Sequence, residues 1–158
     1  MRAAEIAEPK LDEATAGAIR DALAAARTGR IDEACSIAER ALSSGGEPVA
    51  LNALLGMLPC RAGEFETGIG HLRPAHAARP SDPSIALNLI SALIETGEHG
   101  EALAVATPEL AQRDTSLRIG RARGFAAQMC GDLAGAAGAF GQVVGAAPGD
   151  RRRRDNLA

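Results

Sequence analysis

The sequence predicts an all-α solenoid of repeated helix–turn–helix units, on three observations. Gly29, Gly63, Gly97 and Gly131 stand 34 residues apart three times in succession, and a fixed period in this range marks a chain assembled from one supersecondary unit. Aromatic residues make up only 2% of the chain, with no Trp or Tyr, so a sheet-rich fold lacks its favoured side chains. Ala, Leu, Glu and Arg dominate instead, and most of the 18 glycines and 8 prolines fall at expected helix ends.

Each ladder glycine turns a first helix into a second. The expected helices span 11–28 and 31–43, 48–62 and 65–79, 83–96 and 99–112, then 115–130 and 133–146. Columns form once the units are aligned. Two residues after the glycines come Ile31, Phe65, His99 and Leu133; five after come the small residues Ala34, Gly68, Ala102 and Ala136; nine after come Ala38, Leu72, Ala106 and Phe140. The small column suits a close helix crossing. Pro80 and Pro148 stand where each would stop a second helix. Pro59 lies inside a first helix, and Pro74 and Pro108 share one place in two second helices. Each removes a backbone hydrogen bond and is expected to bend its helix.

Four units follow, at about 15–48, 49–82, 83–116 and 117–148, within a repeat region of 11–148. Residues 1–10 read as a disordered tail ahead of them. Asn156-Leu157 repeats Asn88-Leu89 two periods on, so 149–158 reads as a partial fifth first helix or a capping helix, or as the point where a longer protein has been cut.

At 158 residues the chain has room for one domain and none for a separate catalytic one. Its net charge of −3 comes from 20 acidic and 17 basic residues, mixed along the chain, which argues against bulk nucleic-acid binding. Cys35, Cys60 and Cys130 are odd in number and form no CxxC pair, so neither a disulfide framework nor a zinc site is indicated and a reducing compartment fits. Met1 to Lys10 lacks the apolar run of a secretory signal. No stretch approaches the roughly 18 apolar residues of a membrane span. The expected location is the cytoplasm.

A 34-residue helix–turn–helix with Leu-Gly, then Ala, then a bulky residue, then Pro resembles the tetratricopeptide repeat. Leu55, Gly56, Gly63, Phe65, Ala75 and Pro80 carry the resemblance in the second unit, and Gly124, Gly131, Leu133, Ala136, Phe140 and Pro148 in the fourth. The first unit matches least, with Asp21-Ala22 in place of Leu-Gly, as suits a terminal repeat. The large aromatic usual near the start of each first helix is replaced by Ala18, Asn52, Ala86 and Gly120, which implies lighter and closer packing.

The resemblance implies a right-handed superhelix whose first helices line a concave groove for peptides or helices. Its groove places fall on Ala16, Ile19, Leu23 and Ala26 in the first unit and on Ala50, Ala53, Met57 and Cys60 in the second. In the third they fall on Ser84, Leu87, Ser91 and Ile94, and in the fourth on Arg118, Arg121, Phe125 and Gln128. Arg152 lies one period after Arg118. The expected groove is therefore mostly apolar and turns basic at its far end. Such a trough would receive an amphipathic helix with an acidic end, because apolar burial supplies affinity and Arg pairs with carboxylate. The competing reading makes Ile19, Leu23, Leu87 and Ile94 core residues and the arginines ordinary surface charges. A subset of the family grips the acidic tails of heat-shock chaperones with Lys, Asn and Arg. Asn88 and Arg118 sit at fitting places, but the sole lysine is Lys10, ahead of the repeats, and Asn at that place is a frequent consensus residue.

Catalytic chemistry finds no footing. His71 and His76 are off a common helical face, His99 occupies the apolar turn column, and no GxSxG, HExxH or phosphate loop occurs. Arg151–Arg154 could meet an acidic protein or phosphate, but a solvated helix face explains the run as well. The expected function is a protein-interaction scaffold, with no cofactor and no metal. Its partner would be a foreign peptide or helix, the chain's own residues 1–10, or a second copy. By analogy alone, the chain could instead be the accessory repeat domain of a larger bacterial transferase or hydroxylase.

Overall fold

The computed structural model describes residues 11–146, which form nine helices and no strand among them. The first unit pairs α1 (Glu13–Arg27) with α2 (Ile31–Ser43), and the second pairs α3 (Pro48–Arg61) with α4 (Phe65–Ala78). The third contains α5 (Pro83–Glu95), α6 (His99–Val105) and α7 (Pro108–Arg113). The fourth pairs α8 (Arg118–Met129) with α9 (Leu133–Ala146). The expected tail, Pro148, Arg152 and the partial fifth helix all lie outside the described residues.

The ladder glycines do one job four times. Gly29, Gly63, Gly97 and Gly131 have φ between 80° and 86°, a left-handed conformation that costs other residues roughly 1–2 kcal/mol. At each, the glycine N–H and the next residue's N–H reach back into the helix just ended. Gly63 donates to the Cys60 carbonyl at 3.1 Å and Glu64 to that of Pro59 at 2.9 Å, a double bond pattern that closes a helix. The residue after the glycine is also the first cap of the next helix, so Arg30, Glu64 and Glu98 start α2, α4 and α6 without a side-chain cap.

First helices begin differently, because a looser connection precedes them. Asp12, Glu47 and Asp82 each accept backbone N–H groups at the starts of α1, α3 and α5, the carboxylate meeting orphan donors and the positive end of the helix. Asp114 does the same for α8 from further back, accepting the Ile119 N–H at 2.8 Å. Units are tied side by side by Glu47, whose N–H donates to Thr15 Oγ1 at 3.1 Å, and by Arg73, which pairs with both Glu98 and Glu101.

Two apolar clusters fill the solenoid. One joins Ala22, Ala25, Ala34 and Ala38 to Leu51, Leu55 and Leu58; the other joins Ile69 and Leu72 to Leu89, Ile90, Leu93, Ala102, Ile119 and Ala126. Small residues set the spacing. A Cβ at Gly56 would strike Leu72, one at Gly68 would strike Cys60, and one at Gly124 would lie 2.7 Å from the Phe140 ring. Here Gly permits backbone approach that the missing aromatics would prevent.

The equivalent prolines do not act alike, which corrects the expectation of a recurrent bend in one helix of 99–112. Pro74 sits inside the continuous α4, whereas the chain breaks ahead of Pro108, which becomes the first residue of α7. The preceding residue decides. Thr107 takes an extended conformation with ψ 155°, and its hydroxyl accepts the Leu110 N–H, so it caps a new helix; Arg73 ahead of Pro74 has no such group.

Candidate functional site

The first helices of all four units contribute to one open depression of about 640 Å³. Leu23 and Arg27 come from α1, Met57, Cys60 and Arg61 from α3, Asn88, Ser91, Ala92 and Glu95 from α5, and Arg118 from α8; Phe65 joins them from the start of α4. Leu23, Met57, Ser91 and Arg118 from the groove columns thus line one depression, together with Asn88, the residue compared above with the chaperone-tail binders. Leu23 and Met57 are half-buried and rest on the first core cluster, so they form a floor with only one side free.

The other candidates lie elsewhere. Ile19 packs on the first cluster and Leu87 and Ile94 on the second, and Ala53 is half-buried. Arg121 is exposed away from the depression, and Phe125 meets His99 edge-on with ring centroids 5.8 Å apart. Arg152 lies outside the described residues.

The charge is not confined to the far end, as the columns suggested. Arg27, Arg61 and Glu95 follow Leu23, Met57 and Ser91 by one helical turn, and they bring charge to the first three units. The signal was present in the sequence as an i+4 step on the same face. Arg27, Arg61 and Arg118 take part in none of the described ion pairs, whose arginines are Arg30, Arg73 and Arg79. Arg27 and Arg61 also stand in the last turns of their helices, where the dipole favours a cation.

Cys60 faces this depression, but burial pushes its thiol above the usual range, so it is a poor nucleophile at neutral pH. Burial likewise lowers His76 below the ordinary imidazole value. His71 meets Asn52 Oδ1 at 3.0 Å on another face. Among the described residues no three of His, Cys, Asp and Glu converge as metal ligands, and no helix is long and apolar enough to cross a membrane.

No protein-family model matches the chain, and no curated protein does. Solved structures do. MamA of AMB-1 is 21% identical and superposes with a TM-score of 0.71 over 84% of this chain and 78% of that one. YrrB, described as a TPR protein with an unusual peptide-binding site, gives 0.72 at 17% identity over 85% and 70%. The fold is of the tetratricopeptide type. A MamA RS-1 double mutant, at 14% identity, gives 0.76 over 88% and 78%. At these identities the likeness concerns the fold, and the depression occupies the side of this TPR-type solenoid formed by its first helices.

Proposed function

We propose that the chain is a protein-interaction module that takes up a short amphipathic helix or peptide with an acidic end in the depression between α1, α3, α5 and α8. One observation carries this reading: Arg27, Arg61 and Arg118 surround a floor of Leu23, Met57 and Phe65, and none of the three is engaged in a described ion pair. A carboxylate-rich ligand with apolar side chains answers both features, since Arg pairs bidentately with carboxylate and the floor buries apolar surface. That a protein of this fold, YrrB, is described with a peptide-binding site supports the same use. Cys35, Cys60 and Cys130 are all free thiols, which suits a reducing, cytoplasmic setting.

The test is fluorescence anisotropy with a labelled helical peptide carrying two leucines one turn apart and a run of glutamates. Arg27→Glu and Arg61→Glu, both at exposed positions, are each expected to weaken binding at least tenfold with unchanged thermal melting, and salt is expected to weaken wild-type binding. Equal binding by folded variants would overturn the reading. Met57→Glu and Leu87→Glu are unsuitable here because both side chains pack on the core.

A further inference from the structure

We infer that the outer face of α9 is a self-association surface, where two copies of this chain pack α9 against α9 about a two-fold axis. The inference is independent of the groove, which lies on other elements.

The register makes the argument. Leu133, Ala137, Phe140 and Val144 follow one stripe of α9, and all four are exposed, Leu133 at 71% and Val144 at 60%. The same columns one, two and three periods earlier are covered. His99, Leu103, Ala106 and Leu110 are buried or half-buried, as are Phe65, Ile69, Leu72 and His76, and Ile31, Cys35, Ala38 and Leu42. In the first two units the cover is the first helix of the following unit, α3 on α2 and α5 on α4. The stripe on α9 is thus a packing face with no helix upon it among the described residues.

Its chemistry selects the occupant. From Leu133 to Ala146 there is no ionisable residue, so two such faces meet with no charge to desolvate and none to repel.

Two other occupants fit worse. A helix of residues 150–158 in the place of α5 would put Arg153 and Arg154 where Ile85 and Ala86 are buried. Head-to-tail joining would set α1 of the next copy on α9 and bury Asp21, which stands in the column of Leu55 and Leu89. A pairing in which each copy offers the same apolar face avoids both and closes at two chains.

The test is sedimentation of the full chain from about 1 μM to about 1 mM, the range of ordinary weak to moderate interfaces. The expected mass rises to twice the 16.1 kDa of one chain. Leu133→Glu combined with Val144→Glu should hold it at the single-chain mass with unchanged circular dichroism, since both side chains are largely free. Should that variant misfold, Leu133→Ser with Val144→Ser replaces it. A wild type that stays at the single-chain mass throughout overturns the proposal, including the case where hydrogen exchange finds α9 already protected by the chain's own residues. A folded variant that still pairs overturns it as well.

Discussion

Arg123 of α8 donates through Nη1 to the main-chain carbonyl of Ala106 at 2.7 Å, the last residue before the chain turns towards Pro108. The break between α6 and α7 leaves this carbonyl without a helical donor, and a guanidinium from the next unit supplies one. Arg123→Met keeps most of the apolar stem and removes the donor, and it should cost about 1–3 kcal/mol in urea unfolding, the range for a charged hydrogen bond and a carbonyl left unmet. Arg123→Lys should recover part of that loss.

Glycines that look alike in the sequence should respond with opposite signs. Gly63→Ala is expected to destabilise by roughly 1–2 kcal/mol because φ there is 86°. Gly56→Ala should cost a similar amount, about 1–3 kcal/mol, for a different reason, since its Cβ meets Leu72. Gly70 lies inside α4 with nothing near its Cβ, so Gly70→Ala should stabilise by up to about 1 kcal/mol. Chemical denaturation of the three variants checks the order.

Asp114 should make the connection between α7 and α8 acid-sensitive. Burial alone would raise its carboxyl, but hydrogen bonds from the Ile119 N–H, the Ser116 hydroxyl and the Ser116 N–H outweigh it and hold the group below the ordinary value of 3.8. A depressed folded value means the stabilisation is full above the unfolded value and is lost as pH falls through the folded one. Wild-type stability should therefore drop below about pH 4, and Asp114→Asn should be less stable at neutral pH while losing less on acidification. Thermal melts at neutral and acid pH measure both slopes.

Thiol labelling should report on the groove. Cys130 is exposed, whereas burial raises both Cys35 and Cys60, Cys35 also feeling Glu39 and Asp32. Maleimide should therefore react first at Cys130. An acidic peptide in the depression should slow Cys60 and leave Cys35 and Cys130 unchanged, as mass spectrometry of labelled fragments would show.

The helix limits were legible because Gly fixes a backbone sign that few other residues adopt, and that signal recurs at one interval. The break ahead of Pro108 was not, because Pro74 and Pro108 occupy one column and only the neighbour, Thr107 against Arg73, separates a new helix from a continuous one. In the depression, Leu23, Met57, Ser91 and Arg118 followed from register. Arg27, Arg61 and Glu95 fall outside the groove columns, although they lie one turn further along the same face. Phe65 could not be assigned from first helices at all, since it reaches the depression from the turn.

The fourfold glycine turn also bears on how such a chain can change in length. Each joint restores the same backbone sign and hands over to the next helix with the same pair of hydrogen bonds. Cutting at one ladder glycine and rejoining at another preserves both the joint and the side-chain columns on either side. Gain or loss of a whole 34-residue block therefore alters only the interfaces at the seam, whereas an insertion of one residue within a helix rotates every later column off its partner. The molecule is built to be edited by the block.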